Sequence, residues 1–170
     1  MKKKLTRKNR VEPKASRPHM PGYGIEPAGR GGGPLPWSWA VERLSGSHNY
    51  WLATTRPDGS PHAMAVWGLW TENQFFFSTG PRSRKARNLS SNPRCVVFPE
   101  GAREAVIVEG VARRIKGRAL YRRIAALYAR KYGEVFEPKT MPLYSVRPHT
   151  AFAFVEDPKK FTGSATRWRF

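Results

Sequence analysis

The sequence reads as mainly β, an antiparallel barrel with helices set between its strands. Three features lead there. Short runs rich in aromatic and β-branched residues recur from Tyr50 to the C-terminus. The early runs are joined by tight-turn signals, "PDG" and "TEN", rather than by helices, which argues against a doubly wound parallel sheet. About six or seven strands in one small domain are best shielded from edge-to-edge pairing when the sheet closes on itself.

Taken in order, residues 1–36 read as a disordered, basic, Pro/Gly-rich tail. "MKKKLTRKNR" is a charge run and "RPHMPGYGIEPAGRGGGPLP" a linker; neither buries enough apolar area to offset ordering entropy. The barrel domain is expected over 37–170. A short helix should run from Trp39 to Leu44, capped by Ser38 and stopped by Ser45-Gly46-Ser47. Strands are expected at Tyr50–Arg56, His62–Trp70 and Gln74–Thr79, the first two joined by a turn in which Pro57 fixes φ and Gly59 allows a positive one. A helix over Ser83–Ser91 should end at Asn92-Pro93. Strands follow at Arg94–Pro99 and Glu104–Ile115. From Arg118 to Tyr132 the period changes: Leu120, Ile124, Leu127, Tyr128 and Lys131 recur at helical spacing, with Gly133 as the C-terminal cap. "LYSVRP", "TAFAFVE" and "TRWRF" read as late strands, and no internal repeat is visible.

Composition narrows the function. The single cysteine, Cys95, rules out an intrachain disulfide and a multi-cysteine metal site; in its apolar run it reads as a buried small hydrophobe. A reducing, cytoplasmic setting is therefore expected. No apolar run approaches the ~20 residues that span a bilayer. The net charge is +19, with nine basic and two acidic residues in 1–30 and the excess continuing through the rest. That excess implies an anionic partner. The tail reads first as a solubilising arm, and second as a weak, non-specific contact for nucleic acid or an acidic surface.

The stretch "FFFSTGPRSRKARNLSSNPR" carries the chemistry. A strand ends in Ser78 and Thr79, and a helix beginning at Ser83 follows at once. The unpaired N–H groups of that helix start and its positive dipole end face the same corner. Arg84 suits bidentate phosphate binding and Lys85 adds a point charge. Hydroxyls, a helix start and cations together suit a phosphate monoester; the competing reading is a solvated basic helix face. Basic residues in a first turn oppose the dipole unless an anion is present, which favours the former. In "PHAMAVWG", Ala63 and Ala65 alternate with Met64 and Val66, so one face of that strand lets a flat ligand approach the backbone, unless it is ordinary core packing. Neither paired carboxylates nor metal-ligand spacing is present, and Tyr144 and His149 are acid–base candidates by residue type only.

The run from "GSPHAMAVWGLW" through "QFFFSTGPRSRKARNLSSNPRCVVF" to "EAVIVEGVARRI", with the ending "TRWRF", resembles the pyridoxamine 5′-phosphate oxidase-like family of split β-barrels. The resemblance covers about residues 37–170. It implies a homodimer holding FMN, or the deazaflavin F420, in a groove between subunits, with haem in a third branch, and a small-molecule substrate. It places Ser78 and Thr79 at the cofactor's phosphate and ribityl chain, with Arg84 and Lys85 on the phosphate; Ser83 is a binding candidate from the corner itself. Lys85, Arg87 and Asn88 match the "KxRN" segment of F420-binding relatives. Met64, Ala65, Val66 and Trp67 match the strand along the ring system, and Arg167, Trp168 and Arg169 those that reach across from the second subunit. A true pyridoxamine-phosphate oxidase has Arg where this chain has Met64, Lys where it has Leu69 and Gln at Ala105. The implied function is thus a related cofactor-dependent oxidoreductase rather than vitamin B6 oxidation. A non-catalytic cofactor-binding or nucleic-acid-associated protein is the alternative.

Overall fold

In the hairpin of β2 (Asn49–Thr55) and β3 (Pro61–Thr71), Tyr50 lies opposite Val66 and both are buried, whereas of the next pair toward the turn, Leu52 and Met64, only Leu52 is buried. This hairpin starts the barrel. The structure, a computed structural model, describes residues 12–25, 27, 33–133 and 141–170. β4 (Gln74–Ser78) pairs with β3, β5 (Arg94–Pro99) with β2, and β6 (Glu104–Arg114) with β5. β7 (Leu143–Val155) closes the ring by pairing with β4 on one side and β6 on the other, all antiparallel. The antiparallel barrel expected from about six or seven strands is therefore present, with six strands in the ring.

β7 is one 13-residue strand where the sequence suggested two segments. Its first half pairs with β4 and its second half with β8 (Thr166–Arg169), so one strand serves two neighbours on the same side. Pro148, which has no N–H for a ladder, sits opposite Gly110 beside the register shift at Glu109/Gly110.

Four helices decorate the barrel: α1 (Trp37–Gly46), α2 (Arg84–Ser91), α3 (Arg118–Tyr132) and α4 (Pro158–Ser164). α1 starts two residues before the expected point, so Ser38 lies within it and Pro36 takes the cap position without a side-chain bond. α4 was not expected; Asp157 caps it by accepting from Lys159 N at 2.9 Å. α3 ends as read, at Gly133 with φ +75.

The reading of 1–36 as disordered is corrected at Lys14–Ser16. These residues form a short strand, β1, on the edge of β8. Backbone pairing needs no apolar side chains, and Arg17 Nη1 adds bonds to Gly163 O and Ala165 O at 2.7 and 2.9 Å. Residues 1–11 lie outside those described.

The barrel interior is aromatic. Tyr50, Phe75, Phe77 and Trp168 are fully buried, and Trp37 closes one end with its ring edge-on to Trp70 and Trp168. Gly68 is obligatory here, since a Cβ would lie 2.0 Å from the Phe75 ring. A second cluster forms outside the barrel, where Tyr121, Ile124 and Tyr128 of α3 cover Leu69, Phe76 and Leu143. Cys95 is buried as expected, and burial pushes its thiol up to about 12.

Candidate functional site

The corner between β4 and α2 is built from its own hydroxyls. Ser83 Oγ caps α2 by accepting from Ala86 N at 3.2 Å, and lies 2.9 Å from Thr79 Oγ1. Thr79 is buried. Ser78 Oγ donates to Pro142 O at 3.2 Å. These three groups shape the corner and engage one another or the main chain.

The cations of α2 divide by face. Arg84 and Arg87 are exposed. Lys85 is half-buried, and desolvation lowers its pKa. The first turn contains no acidic residue. Asn88 corrects the expectation: it is fully buried, donating from Nδ2 to Thr54 Oγ1 at 3.0 Å, and so ties α2 to the barrel rather than facing a ligand.

Beside the corner lies a cleft of about 460 Å³ lined by Asn49, Ala65, Val66, Trp67, Ser78, Lys85, Tyr128 and Met141. It joins β3, β4 and α2, as the sequence suggested. Strand alternation sorts the β3 residues. Ala65 and Trp67 turn outward to the cleft, whereas Val66, also among the lining residues, is buried in the barrel core. Met64 lies opposite Leu52, is 47% exposed and is not among the residues that line the cleft.

α3 completes the site from the outside, a contribution that sequence reasoning missed. β2 begins at Asn49, so β3 loses that neighbour at Gly68. Tyr132 and Lys131 stand in for the missing strand. The Tyr132 hydroxyl accepts from Gly68 N at 2.9 Å and lies 2.8 Å from Gly68 O and 2.7 Å from His48 O. Lys131 Nζ donates to Ser47 O, Gly68 O and the Tyr50 hydroxyl at 2.5, 3.0 and 3.1 Å. Tyr128 donates to Trp67 O, and the Tyr132 ring stacks on Trp67 at 4.7 Å and 6°. Burial lowers Lys131 to about 8 and raises the hydroxyls of Tyr50 and Tyr128. The signal was available in Lys131, a cation at the end of an apolar helical stripe.

The C-terminal trio behaves differently from the expectation. The Trp168 ring is fully buried in this chain's own barrel, so it is a core residue and cannot reach into another subunit. Arg167 Nε donates to Ser16 Oγ at 3.2 Å, and Arg169 is exposed. None of the three lines the cleft. Tyr144 stacks on Phe77 and His149 is exposed, so neither reaches the cleft as an acid or base.

Comparison with known proteins follows the same lines. Residues 40–161 match the family described as pyridoxamine 5′-phosphate oxidase. The chain belongs to this family. No curated protein matches it in sequence. Solved structures of the same fold include a conserved hypothetical protein from Mycobacterium tuberculosis, at 19% identity and TM-score 0.64, covering 73% of this chain and 87% of that one. An F420 reductase aligns at 24% identity and TM-score 0.53 over 65% of this chain and 93% of its own. The haem-storage protein HutZ from Vibrio cholerae aligns at 21% identity and TM-score 0.55, over 66% and 86%.

The cleft of this pyridoxamine-phosphate-oxidase-family chain fits a flat, phosphate-bearing group. Ala65 leaves the β3 backbone accessible and Lys85 sits at the α2 end; Arg84 and Arg87 are exposed on the same helix and do not line the cleft. No histidine is among the lining residues, which fits haem less well. Among the described residues no group of three His, Cys, Asp or Glu could hold a metal ion, and no helix is long and apolar enough to cross a membrane.

Proposed function

We propose that the chain is a cytoplasmic, homodimeric oxidoreductase that uses FMN or F420 to move a hydride to or from a small organic substrate. The observation that carries this reading is the cleft in which Ala65, Ser78 and Lys85 converge from β3, β4 and α2. When bound, the cofactor supplies the hydride chemistry itself. The chain's residues bind and orient it: Lys85 and Arg84 hold the phosphate end, Ala65 admits the ring, and Tyr128 and Tyr132 fix the Trp67–Gly68 backbone beside it. Cations at a helix start without acidic neighbours are compensated when a phosphate is present.

Mass spectrometry of the small molecule that co-purifies from a host making both FMN and F420, repeated on Arg84→Ala/Lys85→Ala, tests this. The wild type is expected to carry one of the two, and the double variant neither, while its ligand-free Tm stays level or rises slightly as first-turn repulsion is relieved. Equal cofactor retention in both proteins would overturn the phosphate site. The alternative, a non-catalytic cofactor carrier or a nucleic-acid-associated protein, is favoured by the +19 charge and by the absence of Asp, Glu or His from the cleft lining. It predicts cofactor held without turnover, or salt-sensitive retention of nucleic acid lost on deleting 1–11.

A further inference from the structure

Four cations converge on a second cleft, of about 530 Å³, where β6 leaves the barrel and α3 begins. Arg114, Lys116, Arg118 and Arg122 form its rim; Ile115, Tyr121 and Pro142 form an apolar floor. All four cations are exposed, and none has an ion-pair or hydrogen-bond partner for its side chain among the described residues. Unpaired cations are common on this chain, and these four are set apart by lining one concavity. Arg123, the next residue, is paired with Glu72, and Arg43 is paired with Glu104. The first turn of α3 contains no acid, and its cap residue, Gly117, has no side chain to bond the free N–H groups. Four like charges around one concavity repel one another, and an anion set among them turns that repulsion into binding.

We propose that this cleft is a binding site for a small polyanion, a compact molecule bearing two or more phosphate or carboxylate groups. The arginine forks take its charged groups bidentately, and the Ile115–Tyr121–Pro142 floor takes its body. The site adjoins the first cleft through one segment: Met141 lines one and Pro142 the other, with Tyr121 donating to Met141 O at 3.1 Å and Ser78 to Pro142 O at 3.2 Å. The anion is therefore either a free molecule or an extension of the ligand in the first cleft. The inference stands on its own residues and does not require the oxidoreductase reading.

Calorimetric titration of the full chain with sodium tripolyphosphate and, separately, citrate tests it at about 0.15 M salt, where distant surface charges are screened. Saturable binding is expected for at least one probe, and which one binds separates phosphate from carboxylate chemistry. Arg114→Ala/Arg118→Ala should weaken it by about tenfold or more. Arg114→Lys/Arg118→Lys, which keeps the charge and loses the forks, should fall between. Lys159→Ala/Lys160→Ala removes the same charge elsewhere and should leave affinity within about twofold. Binding that never saturates, that falls equally in the Lys159/Lys160 control, or that disappears only in Arg84→Ala/Lys85→Ala would overturn the proposal. If Arg114→Ala/Arg118→Ala also weakens retention of whatever co-purifies, the anion belongs to that same molecule; if not, it is a separate ligand.

Discussion

Lys131 shows how one side chain can brace the candidate cleft without lining it. Its three bonds satisfy carbonyls of the α1–β2 connection and of β3, at the point where β3 runs past the start of β2. Lys131→Met leaves the Ser47 and Gly68 carbonyls without this donor, a loss of about 1–3 kcal/mol. The pH dependence identifies the cause. Burial depresses Lys131 to about 8 in the folded chain, below the usual lysine value, so between about pH 8 and pH 10 the unfolded chain binds more protons than the folded one. The lysine's contribution to stability is therefore greatest above that window and is lost as pH falls through 8. Urea unfolding at pH 7.5 and pH 10 should show the gap between wild type and Lys131→Met widening at the higher pH. A gap that stays flat would mean that the ammonium is not desolvated. Tyr50 and Tyr128 titrate above this window, and the comparison with the variant cancels them.

At the scale of elements, α2 carries both the legible and the illegible parts of the sequence. The "FST" corner, a helix start at Ser83 and the Asn92-Pro93 stop were readable because turn and proline chemistry are local, although Ser83 proved to be the cap rather than the first helical residue. Which face of α2 meets the barrel was not readable. Ala86, Asn88 and Leu89 are buried and Arg84 and Arg87 are not, a division fixed by where β2 passes beneath the helix. The same limit explains β1 and α4. "KAS" pairs through its backbone and had no signal to read, and "PKKFTGS" is too short to show a period, so its one local signal, the Asp157-Pro158 start, went unread. Met64, Ala65, Val66 and Trp67 were named as one segment, because a resemblance in sequence does not separate the two faces of a strand. Ser83→Ala separates shape from charge at the corner. It should cost about 1 kcal/mol of stability by removing the cap. It should weaken cofactor retention far less than Arg84→Ala/Lys85→Ala, because Ser83 Oγ is already bonded to Ala86 N and Thr79. Equal losses in the two variants would move the hydroxyl onto the ligand.

For the molecule as a whole, the outer face of the β3–β2–β5 sheet bears on the proposed homodimer. Trp51 is 41% exposed and stands opposite Ala65 on β3 and Phe98 on β5; Ala53, two residues on, stands opposite Ala63 and Val96. These six side chains share one face and none is charged, the composition of a surface that a partner covers rather than one left to water. Ala65 belongs to this face and to the cleft, so a second copy seated here would also wall the cofactor site. Trp51 itself does not line the cleft. Trp51→Glu should therefore convert a dimer to a monomer by light scattering, because each protomer would bury an unpaired carboxylate in the interface. It should also weaken cofactor retention, since the missing wall is supplied only by the partner. A variant that stays dimeric, or a wild type that is monomeric at micromolar concentration, would remove the dimer from this reading. Monomeric Trp51→Glu with full cofactor affinity would leave the dimer but make the cleft complete within one chain.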